Sequence, residues 1–255
     1  MSTFKYKNKF LIDVRKTVTS TNMELRDLAA KGAPEGYVLI AEEQTAGKGR
    51  QGRSFHSPAG HGAYFSLLLR PGHGMEDVSQ ITPAAAVAAA RAIEDIFGVR
   101  VGIKWVNDLF ISGKKVCGIL TEAVFSAESG HIESAVLGIG INITKPEEGF
   151  PKDIESVAAA LTDRRFIEDE ERCRLVMATL DNFWGFYENL PARAFLAEYR
   201  ARSILLGQDI FVLSDGGKRA ARALEIDDDC GLLVQYETGE TATLRSGEVS
   251  VRMLN

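Results

Sequence analysis

The apolar pattern of this chain changes near Gly207, and the change limits what it can fold into. Before that point strand-like and helix-like runs alternate. Val14 to Thr19 reads as a strand, followed by Ser20-Thr21-Asn22 as helix-capping residues and a helix from Met23 to Lys31 that Gly32 ends. Tyr37 to Glu42 and Ala63 to Leu69 read as strands, with a glycine-rich loop between them. Thr82-Pro83 looks like a cap followed by proline at the first helical position, so the alanine-rich run to Phe97 is expected to be a helix starting there, stopped by Gly98. Four strands follow: Val101 to Trp105, Leu109 to Ile111, Lys115 to Phe125 and His131 to Asn142. Turns at Ser112-Gly113 and Ser129-Gly130 separate them, and helices are expected over Glu168 to Asn189 and Ala192 to Arg202. After Gly207 only short strand-like runs remain: Ile210 to Leu213, Arg222 to Ile226, Leu232 to Tyr236, Thr241 to Leu244 and Val249 to Met253. Several short strands at that spacing predict a small barrel, with a domain boundary around Leu205 to Gly207.

Composition excludes several function classes. No apolar run approaches the ~20 residues of a membrane span, and no apolar segment follows the lysine-rich start at Met1 to Lys9, so no secretory signal is read. Cys117, Cys173 and Cys230 are scattered and odd in number, which fits reduced thiols of a cytoplasmic protein and neither a disulfide framework nor a zinc spacing. The net charge of −5 argues against non-specific nucleic-acid binding, which needs a basic footprint.

Against that acidic background, Gln44 to Met75 contains no Asp or Glu, and Gly47-Lys48-Gly49-Arg50-Gln51-Gly52-Arg53 carries three cations in seven residues. Glycines let backbone N–H groups approach an anion, and the cations neutralise it, so a phosphate or an adenylate suits the loop. A flexible solvated loop is the competing reading. The stretch also fits G-x-G-x-x-G, but a dinucleotide site needs a helix directly after the glycines, and Pro58, Gly60 and Gly62 forbid one. Nor is it a Walker loop, because Gly49 follows Lys48 where Ser or Thr belongs. His56, His61 and His73 have no acidic or cysteine neighbours there, so no metal site is read.

Two further segments carry chemistry. Lys104-Trp105-Val106-Asn107-Asp108-Leu109 and Lys114-Lys115-Val116-Cys117-Gly118-Ile119-Leu120-Thr121-Glu122 form a hairpin, with Asn107-Asp108 at a turn or bulge and Lys115 opening the second strand. A lysine there can meet negative charge as a carboxylate and a phosphate react; an exposed surface hairpin is the alternative. Gly138-Ile139-Gly140-Ile141-Asn142 places alternate glycines in an apolar strand. These weaken it unless something lies against it, a ligand or a closely packed neighbour.

Taken in order, these segments resemble the biotin–protein ligase family. The resemblance rests on Ser20-Thr21-Asn22, Gln44 to Arg53, Ser57-Pro58 with Tyr64-Phe65-Ser66, Lys104-Trp105 with Asn107-Asp108-Leu109, Lys115 with Gly118-Ile119-Leu120, Gly138 to Asn142 and Gly247-Glu248-Val249-Ser250. It implies an α/β (α+β) fold, in which a mixed-sheet, class II synthetase-like catalytic domain over 1–204 precedes an SH3-like β-barrel over 205–255. It implies biotin contacts from Ser20, Thr21, Asn22, Gln44, Gly47, Lys48, Arg50, Lys115, Gly118, Leu120 and Gly138. Adenylate contacts would come from Arg50, Arg53, Phe55, Asn107, Asp108, Lys115, Asn142 and Arg252, with Lys115 and Arg50 catalytic.

The activity so implied is activation of biotin by ATP, with Mg²⁺, to biotinyl-5′-AMP, then transfer to a lysine of a biotin carboxyl carrier protein or domain. Three positions depart from the family pattern: Lys48 stands for an arginine, Phe55 for a tryptophan and Val106 for a proline. Some members carry an N-terminal DNA-binding helix-turn-helix, but only 19 residues precede Ser20, so no DNA partner is expected. A homodimer is left open. Lipoate or octanoate ligase is the nearest rival reading, and a biotin-dependent repressor or inactive biotin store the rival from another class.

Overall fold

The computed structural model describes residues 2–72, 74–125, 131–214, 217–245 and 250–253, leaving aside the side chains of 76, 77, 214 and 250–253. The larger part is an eight-stranded sheet with helices on both faces. Its strands are β1 (Ser2–Tyr6), β2 (Phe10–Val18), β3 (Tyr37–Gln44), β4 (Gly62–Leu69), β5 (Gly102–Lys104), β6 (Asp108–Ile111), β7 (Lys114–Phe125) and β8 (Ile132–Asn142). They lie in the order β1-β2-β3-β4-β8-β7-β6-β5. Helix α1 (Thr21–Ala30) connects β2 to β3, and these two strands pair in parallel; the other neighbours pair antiparallel. The sheet is therefore mixed, as expected.

Strand alternation divides the sheet between two cores. In β4, Ala63, Phe65, Leu67 and Leu69 enter the large core beneath α2 (Met75–Phe97) and α3 (Asp169–Tyr187). Leu68 points to the other face, where it meets Leu39, Val136 and the apolar side of α1 at Leu25 and Ala29. Because α1 is only ten residues long, it covers only part of that second face. Beyond it, in the same alternation as Leu68 and Val136, come Ser66 paired with Gly138, Tyr64 with Gly140, and Gly118 with Gly140. This uncovered stretch holds the candidate site.

Two local expectations need correction. Helix α2 begins at Met75, not at Thr82, so Pro83 lies inside it. A proline there forfeits one backbone hydrogen bond, but Gln80 and Ile81 are buried in the turn before it, and their packing carries the helix through. Ser20 is at the N-cap of α1 but makes no side-chain cap, and Thr21 and Asn22 belong to the helix; their polar groups face partners across the sheet. The N-terminal strand β1, paired with β2, was not anticipated from its lysine-rich sequence.

After α4 (Leu196–Ala201) come β9 (Asp209–Ser214), β10 (Gly217–Ile226), β11 (Leu232–Tyr236), β12 (Thr241–Leu244) and β13 (Ser250–Met253). They form one antiparallel sheet ordered β12-β11-β10-β9-β13. The expected small β unit is present, but β12 and β13 do not pair among the described residues, so the barrel is not closed there. The expected turn at Ser129-Gly130 and most of Gly247 to Ser250 lie outside the described residues. Ile210, Val212, Ala223 and Val234 join the same apolar cluster as Trp105 and Tyr199, so the core runs on between the two sheets.

Ile93 is fully buried on α2 in the large core. Ile93→Ala should lower the unfolding free energy by about 2–5 kcal/mol. Urea denaturation checks this, and an unchanged midpoint would contradict the packing described.

Candidate functional site

Each of the three glycines on the uncovered face is matched by a side chain. A Cβ on Gly138 would collide with the Asn22 amide oxygen. One on Gly140 would come within 2.5–2.9 Å of the Phe55 ring, and one on Gly118 would meet Phe55 at 3.1 Å and Lys115 Nζ at 3.0 Å. Phe55 reaches this position because the cation loop folds back on itself. The Phe55 N–H donates to the Gly47 carbonyl (2.8 Å), Gly49 N–H to the Arg53 carbonyl (2.7 Å) and Gln44 N–H to the Ser57 carbonyl (3.1 Å). Gly47 is needed for that closure, since a Cβ there would run into the Phe55 carbonyl. The loop is thus ordered by its own backbone.

A polar network ties α1 to the strands beneath it. Gln44 Oε1 accepts from the Thr21 N–H (2.8 Å), and Gln44 Nε2 donates to Ser57 Oγ (2.9 Å), which donates to the Phe55 carbonyl (3.0 Å). Ser66 Oγ is fully buried, 2.6 Å from Asn22 Oδ1 and 2.7 Å from Thr21 Oγ1. Asn22 Nδ2 donates to Glu122 (2.8 Å) and to the Leu120 carbonyl (3.4 Å). A serine hydroxyl has one proton. Ser66 therefore donates to Asn22 Oδ1 or to Thr21 Oγ1, and the Thr21 hydroxyl donates to Gln44 Oε1 (3.1 Å), so Thr21, Gln44, Ser66, Asn22 and Glu122 form one connected cluster. Asn22 lines the cavity, yet its hydrogen-bonding capacity is committed within the protein. Ser57, Ser66 and Glu122 had no assigned role in the sequence, although all three lie within or beside its motifs.

Cations close the other end. Lys115 Nζ lies 2.6 Å from Asp108 Oδ1 and 5.9 Å from the centre of the Phe55 ring. Arg50 Nη1 donates to Asn107 Oδ1 (3.2 Å), while its Nη2 is buried with no partner. Burial holds the Arg50 guanidinium below its ordinary range, opposed by the nearby Asp108 carboxylate. Asn107 is itself pinned to β7, with Nδ2 donating to the Ile119 carbonyl (2.9 Å) and the Ile119 N–H to the Asn107 carbonyl (3.0 Å). A half-buried guanidinium with a buried spare donor, on the same cavity wall as a lysine, suits an anion.

The cavity bounded by these groups measures about 40 Å³. Ser20, Thr21, Asn22, Gln44, Lys48, Arg50, Phe55, Asn107, Lys115, Gly118, Leu120 and Gly138 all line it. A second cavity of about 90 Å³ shares Phe55 and Lys115 with the first and adds Asn142, Phe150, Ile154, Val157 and Ala158. The last four come from 143–168, a stretch without periodicity that gave no sequence signal. It is held beside Lys115 by backbone bonds, Lys115 N–H to the Val157 carbonyl (2.7 Å) and Ala159 N–H to the Lys115 carbonyl (2.8 Å). Gly47, Arg53 and Asp108 line neither cavity: Gly47 backs the loop, Arg53 is exposed and Asp108 sits behind Lys115. Arg252 is in β13 opposite Phe211, and its side chain lies outside the described residues. No group of three His, Cys, Asp or Glu able to hold a metal occurs among the described residues.

Residues 14–142 match the Biotin/lipoate A/B protein ligase family, and residues 205–252 match the biotin protein ligase C terminal domain. The chain belongs to the biotin/lipoate protein ligase family. It is 34% identical over 225 residues to the bifunctional ligase/repressor BirA of Bacillus subtilis, covering 87% of this chain and 68% of that protein. It is 32% identical over 250 residues to the biotin–[acetyl-CoA-carboxylase] ligase of Mycobacterium tuberculosis, covering 93% and 88%. The fold superposes on the biotin protein ligase of Aquifex aeolicus in complex with biotin and ATP with a TM-score of 0.77, at 27% identity and over 95% and 99% of the two chains.

Gly138→Ala tests the network. The new methyl must push Asn22 away from Ser66 and Glu122 in a buried layer, which should cost about 1–3 kcal/mol of stability. Thermal melting and denaturant titration read this directly, and a wild-type midpoint would show that Asn22 does not occupy that space.

Proposed function

We propose that this protein joins biotin to ATP, forming biotinyl-5′-AMP, and then passes the biotinyl group to a lysine of a biotin carboxyl carrier protein or domain. The observation that carries the reading is Arg50, whose Nη2 is buried and unpartnered, lining the first cavity together with Lys115 and Phe55, which stand at its junction with the second. A carboxylate and an α-phosphate would meet at such a junction, with the acid's body on the glycine face and the nucleotide base against Phe55, Phe150 and Ile154. The name and bound ligands of the Aquifex aeolicus structure support the same pairing.

In this reading residues 1–204 carry the chemistry and 205–255 form the small appended domain. Phe55 lies over Gly118 and Gly140, and the first cavity has room for only a few waters. Biotin enters when the loop from Gly47 to Phe55 lifts, and its return covers the adenylate and keeps water from the mixed anhydride. The biotin carboxylate oxygen attacks the α-phosphorus and pyrophosphate leaves. Lys115 and Arg50 hold the negative charge that accumulates on the phosphoryl oxygens. The carrier's neutral lysine amine then attacks the acyl carbon, losing its proton as the amide forms and AMP departs. Asp108, a carboxylate beside these groups, is paired with Lys115. Mg²⁺ enters as part of the MgATP substrate.

We infer a cytoplasmic enzyme acting without DNA or a membrane; no described helix is long and apolar enough to cross one.

Pyrophosphate exchange with biotin, lipoate and octanoate compared in parallel tests the assignment. Biotin should drive exchange far faster than either, and equal exchange with lipoate would overturn the choice of acid. Lys115→Ala should slow single-turnover adenylate formation by about two to three powers of ten, roughly 2.7–4 kcal/mol, while leaving the fold intact. Lys114→Ala should change little, because Lys114 is exposed and alternation directs it away from Lys115. Should the Lys114 variant be the crippled one, the roles assigned along β7 are wrong. A sequence-specific gel shift at physiological salt would refute the absence of a DNA partner.

A further inference from the structure

The segment that carries Asn107 and Asp108 is held from behind by groups that take no part in either cavity. Val106 is buried, and its carbonyl accepts from the Tyr199 hydroxyl of α4 (2.9 Å). Trp105 Nε1 donates to the Cys230 carbonyl (2.8 Å), in the turn between β10 and β11. That turn is rigidly made. Asp227 Oδ1 accepts from the Asp229 N–H (3.0 Å) and the Gly231 N–H (2.6 Å), and Cys230 adopts a φ of 63°. Arg200, next to Tyr199 in α4, donates to the Ile226 carbonyl (2.7 Å) and pairs with Asp228 (2.7 Å). One short helix therefore grips both the turn of the C-terminal sheet and the peptide that precedes Asn107. In front, Asn107 Oδ1 is the hydrogen-bond partner of Arg50 Nη1.

We propose that Tyr199 is a positioning residue for the nucleotide side of the site: its hydroxyl, together with the Trp105–Cys230 bond, fixes residues 105–108 and so aims the Asn107 amide that orients Arg50. The proposal rests on the adenylating activity argued above. Without the Tyr199 hydroxyl the Val106 carbonyl is left buried and unpaired, and the 106–107 peptide moves to find a partner. The Tyr199 ring, fully buried in the core, can keep its packing in a phenylalanine variant. Burial keeps the phenol well above its ordinary pKa, so the group remains a neutral donor throughout the usable pH range. The displacement is transmitted to Arg50 and not to Gln44 or Asn22, which are anchored to α1, Ser57 and Glu122.

The experiment is a double-mutant cycle on the full chain, read by biotin-dependent pyrophosphate exchange. Tyr199→Phe should raise the KM for ATP about five- to tenfold and leave the KM for biotin within about twofold. Combined with Asn107→Ala, it should add no more than about twofold to the defect of Asn107→Ala alone. Combined with Gln44→Ala, on the biotin side, the two effects should multiply. A purely structural role would move both KM values together with the melting temperature and give independent effects with Asn107→Ala; either result overturns the proposal, as does an unchanged KM for ATP. If Tyr199→Phe fails to fold, Trp105→Phe removes the other bond and must show the same split and the same non-additivity. If the wild-type protein supports no biotin-dependent exchange, the functional reading fails first. The same cycle measured on ATP binding by calorimetry then decides the positioning role by itself.

Discussion

Strands β4 and β8 lie at the middle of a sheet covered on both faces, and the site exists because one of those faces is covered incompletely. Helix α1 lays its apolar side, Leu25 and Ala29, over Leu39, Leu68 and Val136, and at its N-terminal end only Asn22 reaches the stretch of sheet that presents Gly118, Gly138 and Gly140. Side chains at these positions would fill the space, so the hollow depends on their absence. The same absence lets Asn22 and Phe55 descend onto the backbone. A buried layer of this kind is stable only when its polar groups are paired. The connected cluster of Thr21, Gln44, Ser66, Asn22 and Glu122 meets that requirement.

At the far end the balance of forces differs. The cations converge where the chain has no acidic residue for more than thirty positions, and the carboxylate that does approach, Asp108, comes from another strand. One ion pair satisfies Lys115, but Arg50 retains a buried donor without an acceptor. Such a group costs desolvation free energy, on the order of 1–3 kcal/mol or more for a charged one, unless an anion meets it. Its presence in an ordered loop is understandable if binding supplies that anion. The loop carries both the cation and the aromatic ring that covers the glycines.

The C-terminal sheet is not a detached appendage. Its turn at Asp227 to Gly231 supplies the acceptor for Trp105, and its apolar residues join the cluster that includes Tyr199. Bonds of this type carry no charge and touch no substrate. They support the segment from Trp105 to Asp108 from the side opposite β7, where Asn107 is already bonded to Ile119.

The sequence alone determined the elements with strong local physics. Short, nearly continuous apolar runs set the strands around residues 37–44, 62–69 and 132–142, and Gly98 set the end of α2 in its left-handed cap. The acid-free glycine loop, Lys115 and the alternate glycines stood out in the sequence as a candidate site, because cations without acids are unusual in an acidic chain and glycines weaken an apolar strand unless something lies against it. Tertiary structure decided the remainder. Ser20-Thr21-Asn22 reads as a helix cap, but the side chains of Thr21 and Asn22 are drawn to Gln44, Ser66 and Glu122, partners 23 to 100 residues away that local sequence cannot show. Pro83 reads as a helix start, but burial of Ile81 outweighs one missing backbone bond. The wall formed by Phe150, Ile154 and Val157 has no period of its own and is placed by backbone pairing to Lys115. Tyr199 has no motif around it; its role depends on a hydroxyl meeting the Val106 carbonyl across 93 residues of chain, a contact that only the packing of α4 against the core creates.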